Sequence, residues 1–125
     1  MPKPIETKNA PGAIGPYSQA IVAGSTIYVS GQIPVNPETG ETPSSAADQA
    51  RQSLNNVKAI LEAAGASLKD VVRVGVFLTD LGEFQAVNEV YASFFAPPFP
   101  ARSTVEVKAL PKGVKVEIEA IAVLA

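Results

Sequence analysis

No stretch constrains the fold more than Val71-Val-Arg-Val-Gly-Val-Phe-Leu-Thr79. Read as a strand, it sends alternate side chains to opposite faces, and apolar groups fall on both. A strand of that kind belongs in the middle of a sheet whose two sides are both covered. The chain offers only two helices for the task. The first starts at Ser45, with Asp48 three residues on in a capping-box pattern. It carries Ala47, Ala50, Leu54, Val57, Leu61 and Ala64 on one stripe and stops at Gly65. The second follows Asp80 and sets Phe84, Val87, Tyr91, Phe94 and Phe95 on one face before Pro97-Pro98 ends it. That aromatic stripe reads as core.

The other strands are shorter. An edge strand is expected around Pro4–Lys8, then a loop marked by Pro11-Gly12 and Gly15-Pro16. Ser18–Ala23 and Thr26–Ser30 form a hairpin about Gly24-Ser25. Two last strands, Ala101–Leu110 and Lys115–Leu124, are joined by a turn with Pro111 and Gly113. The order is β-β-β-α-β-α-β-β, an α+β domain over residues 1–125 with both helices on one face of the sheet. The opposite face keeps apolar side chains from the central strand, the last strand and Ile27-Tyr28-Val29. A monomer would leave that face wet, so self-association is expected.

Composition narrows the chemistry. The 125 residues are enough for one hydrophobic core. A net charge of −2 offers no footprint for nucleic acid or an anionic membrane. No apolar run approaches a membrane span, and Met1-Pro-Lys-Pro4 does not open a signal peptide, so a soluble cytoplasmic protein is expected. The chain has no cysteine and no histidine. Thiol chemistry, a Ser-His-Asp triad and the usual zinc sites are therefore impossible, and any general base is a carboxylate, lysine, tyrosine or water. Neither a metal nor a nucleotide cofactor is indicated.

The final quarter holds the best candidates. Arg102 opens one strand and Glu117 opens the next, in otherwise apolar surroundings that disfavour charge. Both are assigned to a small-molecule site. Taken alone, Arg102 also fits a surface ion pair, and Glu117 a solvated acid or a partner of Lys108 or Lys115. Asn88 lies inside the apolar arc between Phe84 and Tyr91, where a polar group needs a partner. Glu106 and Glu119 read as structural or surface groups.

Gly15-Pro-Tyr-Ser-Gln19, Ser30-Gly-Gln-Ile-Pro34, Pro100-Ala-Arg-Ser-Thr104 and Val116-Glu-Ile-Glu-Ala120 together resemble the RidA/YjgF family, from about Thr7 to Val123. The resemblance implies a chorismate-mutase-like fold and a homotrimer whose sheets pack into a central barrel with clefts between subunits. It implies hydrolysis of enamines and imines such as 2-aminoacrylate to a 2-keto acid and ammonia, without a cofactor. It casts Arg102 as the carboxylate clamp and Glu117 as the acid that positions water. Tyr17, Ser30, Gly31, Asn88 and Thr104 then belong to the same cleft, Tyr17 and Ser30 among its catalytic groups. Many relatives carry cysteine at the position of Thr104, so no role for a thiol transfers to this chain. The Ala96–Pro100 loop is also shorter than in some relatives. A trimer that binds small carboxylates without turnover is the alternative reading; RNA binding, suggested for some relatives, is disfavoured by the acidic chain.

The residue types suit that chemistry. A guanidinium grips a carboxylate bidentately, and a carboxylate can orient water and accept its proton. With Arg102 and Glu117 each near a strand start, their levels along the sheet should differ by roughly 15–20 Å within one chain. A single subunit would then be unable to bring both to one substrate, and the site is expected to be composite, with Ser30 beside Glu117.

Overall fold

The computed structural model describes residues 2–125; Met1, part of the N-terminus read as leader-free, lies outside them. Strand β1 is Lys3–Ile5, β2 Ala20–Ala23, β3 Thr26–Gln32, β4 Val71–Leu78, β5 Ala101–Glu106 and β6 Val116–Val123. Helix α1 runs Ala46–Ala63 and α2 Phe84–Phe94. The strands form one sheet in the order β1-β2-β3-β6-β4-β5. All pairs are antiparallel except β4 with β5, which α2 connects in a parallel crossover.

The doubly apolar segment is β4, set between β6 and β5 as its pattern requires. Val74, Val76 and Leu78 point to the helix side, where they join Ile27, Val29, Val116, Ile118, Ala120 and Ala122 in one buried core with Leu54, Val57, Ile60 and Leu61 of α1. The expected stripe on α1 holds at its centre, but three polar side chains, Gln49, Ser53 and Asn56, are buried with it. Ser45 caps the helix through Oγ, which accepts from the Asp48 N–H at 3.1 Å. A Schellman pair closes its other end, Gly65 N–H to Glu62 O and Ala66 N–H to Leu61 O.

Several boundaries differ from the sequence-based expectation. The edge strand is Lys3–Ile5 rather than Pro4–Lys8, because only three residues find partners on β2. The Ala101–Leu110 strand ends at Glu106. Its partner β4 stops at Leu78, whose carbonyl takes a last bond from Val107 N–H, and Lys108–Leu110 have no ladder to join. The β3 strand runs on through a bulge at Ser30-Gly31, two residues set against one of β6. On the sheet face away from the helices, Tyr28, Val105 and Val123 are exposed, as the unmatched apolar pattern implied. No described helix is long and apolar enough to cross a membrane.

Candidate functional site

The predicted residues fall into two groups, and register decides which. Arg102 is paired with Val74, and Val74 with Ala120, so Arg102 sits level with Ala120. Glu117 is three residues earlier on β6, an offset of about 10 Å along the strands. The expected difference of roughly 15–20 Å was too large. The two strands do not form a hairpin; each takes its register from β4 between them. The odd offset has a larger consequence. Val74 and Ala120 belong to the buried helix face, whereas Glu117 pairs with Phe77 on the open face. Within one chain Arg102 and Glu117 occupy opposite sides of the sheet.

On the helix side, α2 supplies the setting for Arg102. Phe84, Asn88 and Tyr91 fall at i, i+4 and i+7, one stripe of the helix. Arg102 Nη1 donates to Asn88 Oδ1 at 2.8 Å. Its Cζ lies 4.5 Å from the centroid of the Tyr91 ring and 5.6 Å from that of Phe84. Asn88 thus finds in Arg102 the partner that its place in an apolar arc demanded. Phe84, Tyr91, Phe94 and Phe95 were read as core; Phe84 is instead 38% exposed and faces the guanidinium. Asn88, Tyr91, Ala92, Phe99, Pro100 and Arg102 line a hollow of about 380 Å³. Thr104, two residues after Arg102 on the same face, has a buried Oγ1 with no hydrogen-bond partner, and so has the Tyr91 hydroxyl. Burial pushes the Tyr91 hydroxyl up from its ordinary value, and the Arg102 charge acts the other way.

The second group gathers at the bulge of β3 on the open side. The Glu117 carboxylate folds over Gly31, and a Cβ there would stand 2.9 Å from Glu117 Cδ. Glu119, next on the same face, folds the opposite way over Gly75, where a Cβ would meet its Cγ at 2.9 Å. Each acid therefore lies on a glycine of a neighbouring strand, and neither glycine tolerates a side chain without moving it. Partial burial raises the Glu117 carboxyl above the ordinary carboxylate range, and the charge of Glu119 adds to that. The sequence reading of Glu119 as structural or surface leaves out its effect on Glu117, because only register shows how the two acids splay. Glu106 bears out its structural reading, its Oε1 accepting from Leu81 N–H at 2.9 Å.

Ser30 and Tyr17 line one hollow with Glu119, and Tyr17 lines another with Gly31. Ser30 Oγ donates to Ser18 O at 2.6 Å, which fixes its rotamer. Buried amides hold this half in place. Gln19 Nε2 donates to the carbonyls of Thr7, Ala10 and Pro11, and its Oε1 accepts from Thr7 N–H, tying down the loop before Tyr17. Asn56 Nδ2 donates to the carbonyls of Ile33 and Val35, and Gln49 Nε2 to that of Pro43, which staples the segment after Gly31 onto α1. A run of polar residues on the buried stripe of α1 was the available signal for these staples. No group of three or more metal-ligating side chains is gathered among the described residues.

Arg102, Asn88 and Thr104 are thus together on one face; at the other, Glu117 lies on Gly31, and Tyr17 and Ser30 line neighbouring hollows with Gly31 and Glu119. Comparison with known proteins places this arrangement. A family model described as endoribonuclease L-PSP matches residues 7–124. The 2-iminobutanoate/2-iminopropanoate deaminase of Escherichia coli K12 is 60% identical over 126 residues, covering 98% of each chain. The crystal structure of E. coli TdcF with bound serine superposes with a TM-score of 0.95 at 57% identity, covering 98% of this chain and 99% of that one. The yjgF gene product of E. coli superposes equally well, TM-score 0.95 at 59% identity, over the same shares.

Proposed function

Because the chain belongs to the RidA/YjgF family, we propose that it is a single-domain imine and enamine deaminase working in clefts between the subunits of a homotrimer. Its substrates are small 2-imino acids such as 2-iminopropanoate, reached from 2-aminoacrylate by tautomerisation, and its products are a 2-keto acid and ammonia. The observation that carries the reading is the split of the site residues: a cation on one face of the sheet and an acid on the other, in a chain 60% identical to a deaminase. Two copies are needed for the halves to meet, and the exposed Tyr28, Val105 and Val123 give the copies apolar surface to bury.

In this reading Arg102 of one subunit holds the substrate carboxylate. Glu117 of its neighbour orients a water against the C=N carbon and accepts a proton as the oxygen adds. The electron pair of the C=N bond moves to nitrogen, which takes up a proton and gives a carbinolamine. The amine nitrogen then takes a second proton, and the C–N bond breaks with its electron pair going to nitrogen, so that ammonia leaves. The oxygen gives up its proton to the Glu117 carboxylate as the C=O bond forms. Glu117 can serve both directions of transfer, since burial and the charge of Glu119 raise its proton affinity and so favour its return of a proton after accepting one. Tyr17 and Ser30 supply hydroxyls along the proton path, Gly31 keeps the carboxylate's place free, and Asn88 and Thr104 complete the wall beside Arg102. Imines hydrolyse unaided, so orientation and electrostatics suffice.

The test is direct. With 2-aminoacrylate generated in situ, the protein should speed release of keto acid and ammonia above the spontaneous rate. A rate equal to the spontaneous one, with saturable binding of small carboxylates, would instead assign a binding role, which the relative solved with bound serine also suits. Ribonuclease activity is disfavoured by the net charge of −2 and the lack of histidine.

A further inference from the structure

The ring beneath Arg102 has a place in this chemistry. Tyr91 is 5% exposed and packs against Phe95 with ring centroids 4.8 Å apart, so it cannot swing away from the guanidinium. It is the nearer of the two rings at Arg102, at 4.5 Å from Cζ. The aromatic face attracts the cation and restricts the tilt of its plane. Asn88 engages Nη1 within that plane. A guanidinium has five N–H donors in a rigid fork, and with its central carbon held over the Tyr91 ring and one nitrogen held by Asn88, the remaining donors are restricted in direction.

We propose that Tyr91 is a positioning residue for the deaminase reaction, its ring face setting the plane of Arg102 for a two-pronged grip on the substrate carboxylate. The inference rests on the reading of Arg102 as the carboxylate clamp. The ring carries the role and the hydroxyl does not, because that hydroxyl is buried with no partner. A buried polar group without a partner lowers stability, so its removal should be harmless or helpful to the fold. Arginine has many rotamers, and a guanidinium left unrestrained would lose that freedom at each binding event. The carboxylate is held alike in the ground state and the transition state, so the effect belongs in KM and leaves kcat nearly alone.

The experiment compares the wild-type protein with Tyr91→Phe, Tyr91→Leu and Arg102→Ala. It measures KM and kcat for 2-aminoacrylate turnover, the Kd of pyruvate by calorimetry, and the melting temperature. Tyr91→Phe should keep KM and the pyruvate Kd within about twofold and melt no lower than wild type. Tyr91→Leu should raise both constants roughly tenfold while kcat changes little. Should Tyr91→Leu fail to fold, pentafluorophenylalanine at position 91 keeps the shape of the ring but reverses its quadrupole, and it should weaken pyruvate binding relative to Tyr91→Phe. If Arg102→Ala abolishes pyruvate binding while the leucine or fluorinated variant matches wild type, Tyr91 has no positioning role and the inference is overturned alone. If Tyr91→Phe loses as much as Tyr91→Leu, the hydroxyl is the working group and the inference is again overturned. If Arg102→Ala binds pyruvate as wild type does, the clamp itself is misassigned, and the underlying reading goes too.

Discussion

The two halves of the candidate site are built on different principles. Arg102 is restrained by direct contacts: Asn88 on one nitrogen, the Tyr91 ring beneath its central carbon and Phe84 near by. Glu117 is placed by room left for it, a glycine under its carboxylate and another acid beside it on the same face. The cation needs restraint because its side chain is long and its charge permanent. The acid needs an adjustable proton affinity, which partial burial and a like charge provide. Their placement on opposite faces of one sheet separates binding from proton transfer within each chain, so that assembly would be what joins them.

Substitutions can break this contrast at graded cost. The largest effect is expected from Arg102→Ala, which in the proposed mechanism removes charged hydrogen bonds to the substrate and should lower kcat/KM by about 10²–10³-fold. Steady-state kinetics check it, with the oligomeric state measured alongside. Next come the glycines. Gly31→Ala drives a methyl against the Glu117 carboxylate and should reduce kcat by roughly 10²-fold, as misplacement of a reacting group does. Gly75→Ala moves only Glu119 and should cost far less, so equal losses would erase the distinction between the two acids.

A smaller effect reads the proton affinity itself. Glu119→Gln removes the negative charge that helps raise Glu117, so the Glu117 pKa should fall. With Glu117 ionised as proton acceptor, the acid limb of the kcat/KM profile should then move to lower pH. Stability should follow the same sign. A carboxyl raised in the folded state favours the protonated form, and its contribution is lost as pH rises through the folded value. Lowering that value should make the variant more stable than wild type above the limb, all else equal. A limb that stays in place would assign it to a different group. The smallest effect is a control remote from both halves: Ser45→Ala should cost about 1 kcal/mol of stability through the lost N-cap and leave kcat/KM unchanged.

Much of the fold was legible in the residues. Apolar groups on both faces marked β4 as central, and the cap, stripe and stop of α1 were all in the sequence. The four motifs carried the candidate site residues, and Asn88 in an apolar arc pointed to a polar partner, which the structure supplies in Arg102. What stayed hidden depended on register. That Arg102 lies level with Ala120, and therefore opposite in facing to Glu117, follows from the pairing of β5 with β4, which the turn at Pro111–Gly113 does not dictate. The close approach of Glu119 to Gly75 and the turning of Phe84 and Tyr91 toward Arg102 likewise exist only once elements are packed. Periodicity gives a residue's face; which neighbour it meets there is a property of the pairing.

The most direct measurement mixes two inactive chains. Arg102→Ala and Glu117→Ala variants are each prepared, unfolded, combined in equal amounts and refolded together. If every site draws Arg102 from one subunit and Glu117 from the next, random mixing rebuilds about a quarter of the sites intact, and the mixture should recover a corresponding share of wild-type activity. A mixture that co-assembles yet stays as inactive as its components would contradict a shared site and return both groups to a single chain.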